Sequence, residues 1–472
     1  FENIHFMDFV DRKKELGRLE TAIKGCKGKL LVVYGRRRLG KSRLIKKILK
    51  EGDVYYEATK SESSTQRIGL AASVALSYND FDKPTYSTWN SLFSAFNNQC
   101  KEGATLMLDE FPYLVERDPS LPSVIQSIVD SGAMRYNLLI CGSSQRMMQK
   151  IVLDGSEPLY GRASEKINLG PIRAQYWWHA LNLTAKQMIE EYSVWGGVPR
   201  YWVLREQYSS FDDALENLVL DEHGALAEEP EALFLDDTNV IAPYISIMTA
   251  IGQGNAKFSR IADVVGHKVS ELAPVMKNLI AMHYVRKEVP FGEDAEKSKK
   301  TLYVIDDPFL DFYYRFIVPA RPLLSIDRTD VVLQNIHSHM AEYVGHIWER
   351  LCQIAVSGNN LFGHTWNVAA HWWGKVPVFK DGKKTPVGNR ELEFDVVAES
   401  MDDKDTILVG ECKWKSADHA ERILAQLQEK VKYTSFAKGK KIVYALFLRE
   451  QPLSITDCEM MFPEDVLKNL PK

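Results

Sequence analysis

Two groups of residues in this chain have the types and spacing for phosphate chemistry. The first is Gly35, Gly40, Lys41 and Ser42, inside the run LLVVYGRRRLGKS at 30–42. This is G-x-x-x-x-G-K-S. The two glycines let the backbone curl so that its N–H groups point at a β-phosphate. Lys41 supplies positive charge for the β- and γ-phosphates, and Ser42 a hydroxyl for Mg²⁺. Arg43 follows directly and joins the same nucleotide-binding set. The pattern predicts a site for ATP. Residues 105–110, TLMLDE, then form an apolar run that ends in two carboxylates. Asp109 would hold Mg²⁺, through water or Ser42. Glu110 would orient and polarise the attacking water, which marks a hydrolase rather than a binder. The second group is Asp395, Glu411 and Lys413. Alternation in ELEFDVVA (391–398) puts Glu391, Glu393 and Asp395 on one face of a strand, and Leu392, Phe394 and Val396 on the other. In ILVGECKWK (407–415) it puts Glu411, Lys413 and Lys415 together. Adjacent strands would bring Asp395, Glu411 and Lys413 to one place. Two carboxylates and a carbonyl suit Mg²⁺, while Lys413 would position a water and stabilise developing phosphate charge.

The elements that must carry these residues can be read around them. The apolar run 30–34 reads as a buried strand, and RLIKKILK after Ser42 as a helix. VYYEA (54–58), TLMLDE and NLLICGSS (137–144) read as further strands, whose C-terminal ends face a phosphate crevice if the sheet is parallel. Ser143 or Ser144 would then reach the γ-phosphate or the water. Arg162, in PLYGR (158–162), would reach a γ-phosphate in cis or across the subunit boundary of a homo-oligomer. Helical periodicity over 171–220 predicts a small bundle, and the acidic stretch with Glu228, Glu229, Glu231, Asp236 and Asp237 a solvated connector. Residues 243–305 read as three helices (243–251, 258–266, 269–283) and two wing strands (284–289, 301–305), a winged helix. Its third helix exposes Lys268, Ser270, Glu271 and Lys277, a thin face for DNA, which favours packing or partner docking.

Bulk properties bound the answer. A chain of 472 residues divides into about three domains. It is 45% hydrophobic and 26% charged with net charge −4, as in soluble proteins, and no apolar run approaches the roughly 20 residues of a membrane span. No signal-peptide pattern is present, and six scattered cysteines without a C-x-x-C pair argue against zinc and disulfides. A cytoplasmic protein without a membrane partner is expected. Residues 330–472 carry 18 Lys and Arg against 20 Asp and Glu, so net charge gives no support for nucleic-acid binding there. Lys375, Lys380, Lys383, Lys384 and Arg390 cluster just before the second group.

The phosphate loop, TLMLDE, LLICGSS, PLYGR and GGVPRY (196–201), in this order, resemble the archaeal-type ATPase family, a branch of P-loop ATPases related to the AAA+ and STAND groups. The resemblance implies that Phe9, Arg12, Glu15 and Leu16 form an N-terminal box with Arg12 near the nucleotide. It makes Ser144 a sensor-like residue and Arg162 an arginine finger. Gly197 and Pro199 would be the GxP element that closes a helical lid over the nucleotide. The D…E-x-K pattern resembles the PD-(D/E)XK nuclease superfamily over 335–450. That implies Glu349, in HIWERLC (346–352), as the helix-borne acid, Asp395 and Glu411 as metal ligands, and Lys413 as the catalytic lysine. Gln426 or Gln428 would support them, and HWWG (371–374) would be the aromatic strand; Phe394 stands where the superfamily has its proline.

The expected fold is therefore multidomain α/β: a P-loop NTPase parallel sheet (1–170), a helical lid (171–240), a winged helix (241–328) and a C-terminal restriction-endonuclease-like domain (329–472). The expected activity is that of an ATP-hydrolysing switch that gates metal-dependent cleavage of nucleic acid. The alternative is a regulatory or scaffold ATPase whose nuclease-like domain is inactive and binds a partner.

Overall fold

The computed structural model describes residues 9–238, 240–378, 388–415, 419–454 and 457–471. Lys380, Lys383 and Lys384 lie outside these residues, as do the side chains of Asp236 and Asp237. The chain divides into two compact units. The first takes 1–172, 198–203 and 228–241; the second takes 173–197, 204–227 and 242–472. The stretch 171–240 is thus shared between them.

In the first unit five parallel strands form one sheet: β1 (Leu30–Tyr34), β2 (Val54–Glu57), β3 (Thr105–Asp109), β4 (Asn137–Gly142) and β5 (Ala163–Asn168), in the order β2-β3-β4-β1-β5. Every residue of β1, β3 and β4 is buried. That is why they read as unbroken apolar runs: a parallel strand is covered on both faces. Leu30, Val32, Leu106, Leu108, Leu138 and Ile140 pack with Leu70, Phe93 and Phe96 from flanking helices. Each such side chain stabilises the fold by about 1.5–3 kcal/mol through burial. The edge strand β5, ASEKIN, buries only Ile167 and gave no apolar signal in the sequence. Because all five strands run the same way, Tyr34, Asp109 and Gly142 end on one edge of the sheet.

The second unit contains helices Ala242–Gly252, Phe258–Val265 and Val269–Ala281, followed by an antiparallel hairpin of β6 (Val285–Glu288) and β7 (Leu302–Ile305). These elements lie close to the positions read from the pattern. Phe291, in the loop joining β6 to β7, donates its N–H to His371 O at 2.8 Å and packs edge-on to Phe436 at 6.0 Å. The start of that loop is used for internal packing.

A short hairpin of β8 (Asn360–Leu361) and β9 (His364–Thr365) precedes the second sheet. That sheet holds β10 (Ala370–Val378), β11 (Gly388–Glu399), β12 (Thr406–Lys413), β13 (Lys441–Leu448) and β14 (Glu459–Met461) in sequential order. Its first two pairings are antiparallel and its last two parallel. The long helix Thr329–Val356 is seated by Trp348, which is fully buried, donates Nε1–H to Phe447 O at 3.1 Å and lies 5.1 Å from the Trp414 ring. Helix Ala420–Val431 adds Leu424, Leu427 and Val431 to a core with Phe394, Ile407 and Val409.

Candidate phosphate and carboxylate sites

β1 ends at Tyr34 and the chain turns at Gly35, where φ is 148° and an added Cβ would lie 2.4 Å from Leu169 O. No larger residue fits. Arg38 (φ 66°) and Gly40 (φ 87°) are left-handed as well, and helix Lys41–Lys47 starts from the curl they make. Lys41 is 5% exposed and donates from Nζ to Arg36 O at 2.9 Å. Burial lowers its pKa, opposed by Cys141, Glu110 and Asp109 nearby. Ser42, half-buried, and Arg43, exposed, stand on the first turn of the helix.

β3 delivers Asp109 fully buried. Its Oδ2 accepts the Tyr55 hydroxyl at 2.8 Å and its Oδ1 the N–H of Glu110 at 3.0 Å. Glu110 leaves the strand in a left-handed conformation, and its Oε2 accepts both the N–H (3.1 Å) and the hydroxyl (2.7 Å) of Ser143 at the end of β4. Ser144 caps helix Gln145–Leu153, accepting the Met147 N–H at 3.3 Å. Arg12, 5% exposed, donates to Gly170 O at 2.6 Å and Leu39 O at 3.4 Å, which ties the start of helix Lys13–Ile23 to the phosphate loop. Arg162 is not joined to this group by any bond described. Its Nε and Nη2 form a two-point pair with Asp130, both at 2.8 Å, and Nη1 donates to Pro158 O and Tyr160 O.

Two residues outside the sequence-derived set bear on the loop. Pro199 opens helix Pro199–Arg205, the position where a fixed φ and a missing N–H cost least. Tyr201 in that helix accepts a hydrogen bond from Arg36 Nη2 and donates one to Glu229 Oε1, both at 2.8 Å. Arg38 Nη1 pairs with Glu229 Oε2. Glu229 therefore is not part of a solvated connector: it is 3% exposed, and burial raises its pKa against the pull of Arg38 and Tyr201. Tyr201 lies inside the GGVPRY motif and was open to notice. Glu229 had no signal, since one acid among several in a charged stretch looks like the rest.

At the second site the last ladder pair of β11 and β12 is Val396 with Gly410. Beyond it a side chain takes over: Asp395 Oδ2 accepts the Cys412 N–H at 2.7 Å. On the other edge of β11, Trp372 pairs with Phe394 and Ala370 with Val397, so Asp395 and Val396 both face His371. This is a β-bulge, which re-aims side chains. Alternation therefore breaks after Phe394: Val397, not the expected Val396, joins Leu392 and Phe394 in the core. Glu411, 9% exposed, accepts Lys413 Nζ at 2.7 Å on Oε1 and Lys430 Nζ at 3.3 and 3.0 Å on its two oxygens. Gln353 Nε2 donates to Asp395 O at 2.7 Å. Burial, then Asp395 and Glu393, push the Glu349 carboxyl well above the usual range; burial and Glu411 do the same to Asp395. Burial works against the Lys413 ammonium, but Glu411 and Asp395 hold its pKa above the ordinary value. Gln426 and Gln428 are exposed, and the contribution of their helix is Lys430.

The oxygen donors of Asp395 and Glu411 fit a hard divalent cation in type, and such a cation would relieve the like-charge crowding that, after burial, raises the Glu349 and Asp395 carboxyls. Among the described residues no three His, Cys, Asp or Glu side chains form a ready cage. Among the described residues, no helix is long and apolar enough to cross a membrane.

Residues 9–202 match a family described as an ATPase domain predominantly from Archaea, and residues 313–423 one described as Archaea bacterial proteins of unknown function. An uncharacterised protein of Methanocaldococcus jannaschii is 28% identical over 417 residues, covering 86% of this chain and 88% of its own. An uncharacterised ATP-binding protein of the same organism is 54% identical over 41 residues, 9% of this chain and 70% of its own. Among solved structures, the ORC2 protein of Aeropyrum pernix in its ADPNP–ADP complexes aligns at 12% identity over 72% of this chain and 98% of its own, with a TM-score of 0.43. CDC6P from Pyrobaculum aerophilum aligns at 13% identity over 68% and 96%, with a TM-score of 0.30. Likenesses this loose carry no argument about what the chain does. Residues 9–202 are thus similar to ATPase domains of the archaeal kind, and their five-stranded parallel sheet with its phosphate loop has the P-loop NTPase form.

Proposed function

We propose that this ATPase domain is the switch of a two-part machine, in which the state of the bound ATP gates metal-dependent cleavage of nucleic acid by the C-terminal domain. The observation that carries the reading is the meeting of Asp395, Glu411 and Lys413 where β11 and β12 part, near enough to Glu349 that Asp395 adds to burial in raising its carboxyl. In this reading 1–170 is the ATPase domain, 171–240 a lid carrying Pro199, 241–328 a winged helix and 329–472 a nuclease-like domain.

On the ATPase side Lys41 and the loop N–H groups bind phosphate, with Arg12 and Arg43 beside them. Ser42 and Asp109 would hold Mg²⁺, which when bound offsets phosphate charge. Glu110, steadied by Ser143, takes the proton of the attacking water, and Ser144 supplies a polar contact behind it. Arg162 serves as a finger only after leaving Asp130, in cis or in a neighbouring copy. On the C-terminal side Asp395 and Glu411 would hold the cation, Lys413 orients the water, and Glu349 retains a proton and so does not repel the phosphodiester.

The test is to incubate plasmid, single-stranded DNA and RNA with the protein and Mg²⁺ or Mn²⁺, with and without ATP, beside Asp395→Ala and Lys413→Ala. Cleavage lost in both variants, and changed by ATP in the native protein, supports the proposal. ATP hydrolysis without cleavage of any substrate overturns the nuclease half.

One observation favours a second reading, a regulatory scaffold whose C-terminal domain binds a partner and cuts nothing. Both oxygens of Glu411 are held by lysines, and among the described residues no third His, Cys, Asp or Glu completes a cage with Asp395 and Glu411. That reading expects no Mn²⁺-dependent thermal shift.

A further inference from the structure

We infer that Glu229 sets the preference of the phosphate loop for a triphosphate over a diphosphate, by holding the loop arginines in competition with the terminal phosphate. The inference rests on the loop binding ATP as proposed above. Arg38 pairs directly with Glu229, and Arg36 reaches it through the Tyr201 hydroxyl. A guanidinium presents one planar fork, and carboxylate and phosphate compete for it. A γ-phosphate brings charge that a diphosphate lacks at that position, so a triphosphate pulls harder on the same arginines.

Release has a structural price on the other side. The Glu229 side chain is 1% exposed, so when Arg38 leaves, a buried carboxylate is left short of its main counter-charge. Such a state is strongly unfavourable. Helix Glu229–Asp237 must then shift, or Glu229 must take up a proton. Tyr201 and Glu229 stand on 198–203 and 228–241, two short pieces that the first unit takes from the middle of the chain. On either side of each piece the chain belongs to the second unit. A change in what Arg38 binds is therefore felt on the segments through which the backbone passes between units.

The experiment measures affinities for ADP and for a non-hydrolysable ATP analogue by calorimetry on the full chain, in the native protein, Glu229→Gln and Tyr201→Phe. Glu229→Gln keeps the volume and a hydrogen bond to Tyr201 but removes the charge. The expected result is roughly tenfold tighter binding of the triphosphate with a smaller change, about threefold or less, for ADP. Tyr201→Phe, which keeps the ring, shifts the ratio the same way by less. Hydrogen exchange over 229–237 should quicken on adding the triphosphate to the native protein and not in Glu229→Gln. A ratio unchanged in both variants overturns the inference. So does equal weakening for both ligands with a lowered melting temperature, which would mark a merely structural pair. A native protein that binds neither nucleotide would instead overturn the ATP reading itself.

Discussion

The hydroxyl of Tyr55 donates to Oδ2 of Asp109, 2.8 Å away on the neighbouring strand. Burial, with Asp109 next, raises the Tyr55 pKa, so the group remains a donor across the working pH range. The bond fixes one oxygen of the carboxylate assigned to Mg²⁺. Tyr55→Phe should leave nucleotide affinity in EDTA unchanged while raising the Mg²⁺ concentration for half-maximal hydrolysis several-fold, on the order of 3–10. A Mg²⁺ titration of the steady-state rate checks it.

Glu110→Gln should bind ATP as the native protein does and hydrolyse it about 10²–10³ times more slowly, since the amide cannot accept the proton. Ser143 acts through Glu110, so Ser143→Ala should lower kcat by about tenfold and leave KM in place. If both variants lose binding and turnover together, the assignment of Glu110 to the water is wrong. Lys41→Ala, by contrast, should lose binding itself.

Gly35→Ala should destabilise the first unit by about 2–4 kcal/mol, because its Cβ would press on the backbone oxygen of Leu169 at 2.4 Å and neither atom is free to swing away. Chemical denaturation followed by the intrinsic fluorescence change would read this, and nucleotide binding should fall in parallel.

Lys430 and a divalent cation compete for Glu411. Lys430→Met should therefore strengthen Mn²⁺ binding by roughly tenfold, seen as a larger Mn²⁺-dependent thermal shift. The shift should vanish in Asp395→Ala. No shift in any form of the protein would count for the scaffold reading.

The parts of these sites that were legible in the sequence are those written in local code. Gly35, Gly40, Lys41 and Ser42 sit within one loop, and Asp109 and Glu110 close an apolar run that only a buried strand makes. Asp395, Glu411 and Lys413 were found from strand alternation, although the bulge opposite His371 breaks that alternation at the residue that mattered. What stayed hidden depends on contacts made across the chain. Arg38 and Glu229 are 191 positions apart, and Glu411 is reached by Lys430 from a helix whose glutamines looked more apt. β5 escaped notice because an edge strand with one buried residue carries no hydrophobic pattern.

The first unit is stitched from three separate stretches, and that order has a bearing on synthesis. A ribosome that has delivered all five strands of the parallel sheet has still to make 173–197 and 204–227, which belong elsewhere, before Glu229 emerges. Until then Arg38 has no carboxylate to hold it. Nascent domains commonly fold from the N-terminus as units, but here the unit with the phosphate loop is completed only after folding of its neighbour can begin. A chain halted before residue 229 would carry all five strands and a loop still tied by Arg12 and Lys41, with only Arg38 lacking the carboxylate it pairs with.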